Sequence, residues 1–252
     1  MIKGFYAAAS AMLAGLTRQN MLSHNLANLD TPGFKQVLLS LDDFVKTTVS
    51  TRPGDEVWPS APRLVGELGL GVETIPPETD YADGALRQTG QLLDVALHGP
   101  GFFRVQTPAG ERYTRDGRFL KDADGNLVTV DGYAVLNEAG APITLPDGPV
   151  AIGGDGAITV DGQAVGQLGI ASFADPEAEL TRDQPNLFAA AGQPTGVERG
   201  TVVQGFLETA NVNPAQLMTQ MVAVNRAYEA AQMLVQVQDQ LLGRAIATLG
   251  QL

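Results

Sequence analysis

No cysteine occurs in the 252 residues, so no disulfide and no thiolate chemistry can operate. Such a composition suits an extracytoplasmic structural protein. Histidine is almost as scarce: His24 and His98 are the only two, far apart in the chain, and no metal trio or Ser/His/Asp set can be assembled from them. Cationic side chains are few, sixteen Lys and Arg against 28 Asp and Glu, for a net charge of −12. That balance argues against nucleic acid and anionic membrane as partners, because both require neutralising cations. No run of eighteen apolar residues exists, so no membrane insertion is expected. Tryptophan is limited to Trp58, read as a packing anchor within a loop rather than a ligand platform.

The chain does have periodicity at both ends. Leu217, Met221, Val224, Tyr228, Ala231, Val235, Gln238, Leu242, Ala245 and Leu249 follow at alternating steps of four and three. This spacing lays one apolar stripe along a single helix. From Pro214 to Leu249 that helix would be about 54 Å long at 1.5 Å per residue, more than a compact domain needs. Near the start, Tyr6, Ala9, Leu13, Leu16, Asn20, Ser23 and Ala27 repeat the same steps, with Met12, Leu22 and Leu26 widening the stripe. Small residues and the polar Asn20 and Ser23 suit close helix approach and a specified register. Seam burial in a lone two-helix pair barely offsets the entropy of ordering it, so the terminal helices are expected to become firm when several copies pack together.

The fold class expected is α+β: N- and C-terminal helices paired as a coiled-coil-like stalk, with an antiparallel β domain inserted between them. Lys3 followed by a small and apolar stretch superficially resembles a secretion signal, but the heptad continues past any cleavage point, so a retained axial helix over 1–33 is expected. Asp30-Thr31-Pro32-Gly33 should end it. Residues 34–87 read as an extended arm and loop, with irregular stretches at Arg52-Pro53-Gly54-Asp55 and Trp58-Pro59-Ser60-Ala61-Pro62. Over 88–211 short apolar runs alternate with turns, and between residues 116 and 162 Asp-Gly recurs six times, as tight hairpin turns require. The final axial helix occupies 212–252.

Fragments that invite a chemical reading have blander explanations. Asp122-Ala123-Asp124-Gly125-Asn126 opens like a calcium loop, yet its twelfth position is Tyr133 rather than a bidentate Glu, so a hairpin turn is expected. Gly99-Pro100-Gly101 and Gly153-Gly154-Asp155-Gly156 lack the strand-to-helix setting of a phosphate cradle. Asp42-Asp43 and Asp55-Glu56 read as loop residues of a solvated acidic surface, which explains them without glycosidase chemistry. No catalytic residue, metal ligand or cofactor site is assigned, and no enzyme is expected.

Three blocks together resemble the axial proteins of the bacterial flagellar rod and hook. His24-Asn25-Leu26-Ala27-Asn28-Leu29-Asp30-Thr31-Pro32-Gly33-Phe34-Lys35 is similar to that family's N-terminal motif. Leu207-Glu208-Thr209-Ala210-Asn211-Val212-Asn213 with Arg226-Ala227-Tyr228-Glu229 resembles its C-terminal block, and residues 93–103 with Tyr113-Thr114-Arg115-Asp116-Gly117 resemble the segment between. His24 replaces a usual Asn, and Thr209-Ala210 stands where Ser commonly precedes the Asn-Val pair. The short β region looks most like the proximal or distal rod proteins.

The resemblance implies a structural subunit assembling helically through its terminal helices and transmitting torque. Its partners would be copies of itself, other rod and hook proteins and the flagellar export apparatus. Its place would be the basal body outside the cytoplasmic membrane, reached without a cleaved signal. Leu13, Leu16, Asn20, Asn25, Leu26, Asn28, Leu217, Met221, Val224, Tyr228, Val235 and Leu242 are the expected assembly interface. Asn25 and Asn28 would cap or cross-link backbone where the first helix ends, and Pro32 and Gly33 would redirect the chain. Asn211 and Asn213 would cap the last helix at Pro214. A rival is a secreted carbohydrate-binding β module on a coiled-coil stalk, which demands an exposed aromatic platform in the β region; Phe102, Phe103 and Phe119 are instead patterned like core.

Overall fold

The computed structural model describes residues 2–43, 46–50, 64–69, 71–195 and 198–249. Trp58 and the pair Asp55-Glu56 lie outside these residues. Helix α1 is Ile2–Ala27 and helix α3 is Pro214–Leu249, with the four-residue α2, Pro176–Glu179, between them. Among the described residues everything else regular is β, and the sheets of three or more strands are antiparallel. The class is therefore α+β. Two compact units divide the chain: one comprises Met1–His24, Leu38–Pro77 and Ala215–Leu252, the other Asn25–Val37 and Glu78–Pro214.

The β unit is organised around the strand Phe102–Thr107. On one edge it pairs with Gly110–Thr114, and on the other with both Ala134–Val135 and Ile170–Ala171. Alternation along this strand sends consecutive phenylalanines to opposite faces. Phe103 and Val105 enter a core with Phe119, Leu127, Val135, Ile158 and Leu168, while Phe102 enters a second cluster with Tyr113, Phe173, Leu180 and Phe188. Both faces of the sheet are thus covered. Edge-on ring contacts consolidate each side, with Phe103 and Phe119 centroids 5.3 Å apart and Tyr113 and Phe173 5.0 Å apart.

Of the six Asp-Gly pairs, five have their glycine at positive φ, as hairpin corners require. Asp116-Gly117 is the exception. Gly117 lies against the Val95 carbonyl so closely that a Cβ would overlap it, and Asp116 is buried and ion-paired with Arg118 at 2.6 Å. This glycine serves backbone approach rather than a turn. The supposed calcium loop is a turn in which the Asp122 carboxylate accepts from the Asp124 and Asn126 amides at 3.0 and 2.7 Å, and those backbone bonds hold its pKa below the usual carboxylate value.

In the helical unit, Leu41–Asp43 pairs with Val72–Thr74, and Lys46–Ser50 pairs with Leu64–Gly69. The described parts of the arm thus form antiparallel strand pairs, and the stretches 52–55 and 58–62 read as irregular lie outside the described residues. The Ser10 hydroxyl accepts from the Val72 amide at 3.2 Å, fastening α1 to it. Along α3 the covered side is the heptad stripe: Leu217, Val224 and Ala231 are buried, and Met221, Tyr228, Val235, Gln238 and Leu242 are half-buried. Helix α1 differs from the expectation. Its buried residues are Ala8, Ala14, Leu22 and Asn25, whereas Tyr6, Ala9, Leu13, Leu16, Asn20, Ser23 and Ala27 are all exposed. At 3.6 residues per turn these two sets lie on opposite sides of the helix. The reason is steric. Gly15 approaches Tyr228, where an added Cβ would sit 3.7 Å from the ring, and Gly4 lies against Gln238. The side without bulk lets α1 and α3 draw close, and the bulky stripe is left outside.

Candidate assembly site

Taken residue by residue, the expected interface splits into two groups. Leu13 is 66% exposed and Leu16 43%, with Asn20 beside them and Phe5 and Tyr6 extending the patch. On α3, Leu217 and Val224 are buried, and Met221, Tyr228, Val235 and Leu242 are half-buried within the single chain. Sequence periodicity missed a second apolar stripe on α3: Met233, Leu234, Val237 and Leu241 are each more than half exposed. Spacing at i, i+1, i+4 and i+8 could have revealed it, but the stronger heptad masked it. Seventeen large apolar residues are exposed among the described residues, four on α1 (Phe5, Tyr6, Leu13, Leu16) and seven on α3 (Met218, Val222, Met233, Leu234, Val237, Leu241, Ile246). Eleven of the seventeen therefore sit on two helices, the sort of concentration that marks a protein contact surface.

The remaining motif residues gather in the β unit. Asn25, buried, donates from Nδ2 to the Val37 carbonyl at 2.8 Å and accepts the Val37 amide on Oδ1 at 3.0 Å. One side chain thus imitates a strand partner. Leu26 and Asn28 are half-buried, and the Asn28 carbonyl accepts from the Thr31 amide at 3.1 Å. Pro32 and Gly33 are buried. Gly33 adopts φ +68, and its α-carbon faces the Arg115 carbonyl so closely that no side chain fits. Both the turn and the approach require glycine here.

Asn211 does not cap α3. Its Oδ1 accepts the Gln36 amide at 2.7 Å, and its Nδ2 donates to the carbonyls of Asp80 at 2.9 Å and Ala82 at 3.1 Å. The carboxamide is consumed in joining three segments. Asn213 is exposed and directly precedes Pro214.

Beneath these contacts lies a buried ion cluster that sequence reading quoted residue by residue without assembling. Lys35 Nζ meets Glu208 Oε1 at 2.7 Å, and Arg115 meets Glu208 Oε2 at 3.2 Å. The three side chains are 0%, 1% and 3% exposed. Half-open Asp83 completes a neutral set, 3.3 Å from Arg115. Glu208 also accepts the Gly84 amide at 2.8 Å, and Lys35 donates to the Ala82 carbonyl at 2.7 Å. Burial pulls the Lys35 pKa down and the Glu208 carboxylate pushes back. The signal was present: each of the three sequence blocks holds one of these charges.

Arg182 was missed entirely. Its guanidinium lies 5.0 Å from the Phe34 ring centroid and 5.1 Å from Phe188, and it donates to the carbonyls of Lys35 and Pro185. It clamps the Phe34-Lys35 backbone onto the strand pair Leu180–Gln184 and Leu187–Ala190 through cation–π contact. Two segments distant in sequence meet here, which no local pattern announces.

No group of His, Asp or Glu capable of holding a metal occurs among the described residues. In the β unit no aromatic side chain is exposed among them either, so the platform needed by a carbohydrate-binding module is not found there.

Comparison with known proteins agrees with this distribution. Three family models match in chain order: "Flagella basal body rod protein" over residues 5–35, "Flagellar hook protein FlgE/F/G D1 domain" over 96–160, and "Flagellar basal body rod FlgEFG protein C-terminal" over 203–248. The chain is 35% identical to the flagellar basal-body rod protein FlgF of Rhizobium meliloti (strain 1021), covering 99% of each chain. It is 32% identical to the flagellar basal-body rod protein FlgG of Bacillus subtilis (strain 168), over 96% of this chain and 97% of that one. It is also 32% identical to FlgF of Caulobacter vibrioides, over 96% and 99%. The first and last matched segments contain the outward stripes of both helices and the motif residues around Asn25 and Asn211. With relatives of this identity along nearly its whole length, the chain belongs to the flagellar basal-body rod protein family, whose members are structural and not enzymes.

Proposed function

We propose that this structural subunit of the flagellar basal-body rod assembles with copies of itself, and with other rod and hook proteins, through the outward faces of α1 and α3, and that the assembled helices carry torque. The observation that supports this reading is the exposed stripe of Phe5, Tyr6, Leu13 and Leu16 on α1 together with Met233, Leu234, Val237 and Leu241 on α3. Covering eleven half-exposed apolar side chains is worth on the order of 10 kcal/mol per subunit, enough to drive polymerisation once many copies share it. In the assembly the helices would form the coiled-coil-like stalk, with Leu217, Met221, Val224, Tyr228, Val235 and Leu242 along its inner seam. A patch that meets a different patch on the next copy does not close on itself, which produces a filament.

The same reading places the protein outside the cytoplasmic membrane, delivered by the flagellar export apparatus with its first helix retained. A double substitution L13E/L16E tests the assembly role. Both side chains already face solvent, so helix content and thermal unfolding of the purified chain should stay as in the parent. In cells lacking the unaltered copy, isolated basal bodies should then contain no rod incorporating the variant. Incorporation at the parental level would refute the proposal.

A further inference from the structure

The chain passes between its two units four times, after His24, Val37, Pro77 and Pro214. The first lies within α1 and the fourth at the start of α3. In the β unit, the segments that begin or end at these four crossings are tied to one another by side chains. Asn25 binds both the amide and the carbonyl of Val37, joining the first crossing to the second. The Gln36 carbonyl accepts the Asp80 amide at 2.9 Å, and its Nε2 donates to Asp80 Oδ2 at 2.7 Å, joining the second to the third. Asn211 holds Gln36, Asp80 and Ala82 at once, and its own amide donates to the Phe34 carbonyl at 3.3 Å, joining the fourth to the second and third. These bonds link the first crossing to the second, the second to the third, and the fourth to both of those, and all but the Gln36–Asp80 side-chain bond join neutral amides.

We propose that Asn25, Gln36, Asp80 and Asn211 form a collar that makes the four crossing segments open and close as one cooperative unit. Asn25 and Asn211 are its positioning residues. The choice of residue type fits the task. A carboxamide offers a donor and an acceptor in one rigid plane, so each Asn satisfies two or three backbone groups that would otherwise need a continuous strand. The ion cluster of Lys35, Glu208, Arg115 and Asp83 stands under the same segments and supplies their anchor in the β unit. The use of such a collar rests on the rod reading: a subunit that carries load needs these crossing segments to yield together rather than one by one.

Hydrogen exchange on the full-length monomer tests the coupling without requiring assembly. Asn211→Ala removes three hydrogen bonds, and the amides of Gln36 and Asp80 should exchange about tenfold or more faster. The decisive variant is Asn25→Ala, which removes side-chain hydrogen bonds to Val37 alone. A cooperative collar predicts that it also accelerates exchange at Asp80 and over residues 209–212, while the strand Phe102–Thr107 keeps its protection. Acceleration confined to Val37 in Asn25→Ala and to Gln36 in Asn211→Ala would overturn the collar. That result would leave the assembly reading standing, since incorporation of L13E/L16E is scored separately.

Discussion

Glu208 is the residue on which the β unit's polar interior depends most, and its removal has a calculable consequence. Its carboxylate accepts from Lys35 at 2.7 Å, from Arg115 at 3.2 Å and from the Gly84 amide at 2.8 Å. Two of these are charge-assisted and worth roughly 1.5–3 kcal/mol each, and the third about 1 kcal/mol. Glu208→Ala should therefore cost about 4–7 kcal/mol, in line with the 3–5 kcal/mol typical of breaking a buried pair by removing one partner. Asp83 cannot compensate, because it is 41% exposed and 4.0 Å from Lys35.

The pair can be separated from its surroundings by a double-mutant cycle. Lys35→Met alone removes the amine that Glu208 and the Ala82 carbonyl both hold, and should cost several kcal/mol. Lys35→Met combined with Glu208→Leu leaves no unpaired carboxylate, so the double variant should be at least about 2 kcal/mol more stable than the sum of the singles implies. Urea unfolding followed by near-ultraviolet circular dichroism, which reports the packed aromatic rings of the β unit, gives the numbers. A Glu208→Ala chain within about 1 kcal/mol of the parent would refute the assignment of Glu208 as the centre of this cluster.

Gly33→Ala forces a side chain into left-handed backbone and against the Arg115 carbonyl, and should cost at least about 2 kcal/mol in the same unfolding assay. Tyr113 gives a pH prediction. Burial raises its pKa to about 12 from 10.0, and the neighbouring Glu111 charge adds to this. A group whose folded pKa is raised contributes stability that is complete below pH 10 and lost as pH climbs through 12. That contribution is about 2–3 kcal/mol, and absorbance of the ionised phenol at alkaline pH should show a late-titrating tyrosine that Tyr113→Phe eliminates. Glu111 behaves oppositely. Its hydrogen bond to Arg104 lowers its pKa, so it contributes stability present above the usual glutamate range and lost as pH falls through the lowered value; Glu111→Gln should lower neutral stability slightly and flatten the acid limb of unfolding.

What the sequence disclosed follows from the range of the interactions involved. Heptad spacing is local and redundant, so one face of α3 could be read from ten positions, and the same counting found the bulky stripe of α1. Counting cannot say which of two faces turns inward. For α1 the decision lay with Gly4, Ala8, Ala14 and Gly15, whose lack of bulk permits approach to Gln238 and Tyr228, and small residues carry almost no weight in an apolar pattern. The antiparallel middle was legible because Asp-Gly turns are chemically specific. Gly117 departed from that rule because its constraint is a carbonyl at Val95, twenty-two residues earlier. The junction was least legible of all. Lys35 and Arg115 reach Glu208 across 173 and 93 residues of chain, and Asn211 reads as a helix cap because it precedes a proline-led helix by three residues. Its carboxamide had a stronger claim on it. Near α3 it could have met only first-turn amides that water also reaches, whereas Gln36 and Asp80 present backbone groups in a partly buried setting, where an unmade hydrogen bond costs more. Where local and distant partners compete for one polar side chain, burial favours the distant ones, and sequence reading errs there in a consistent direction.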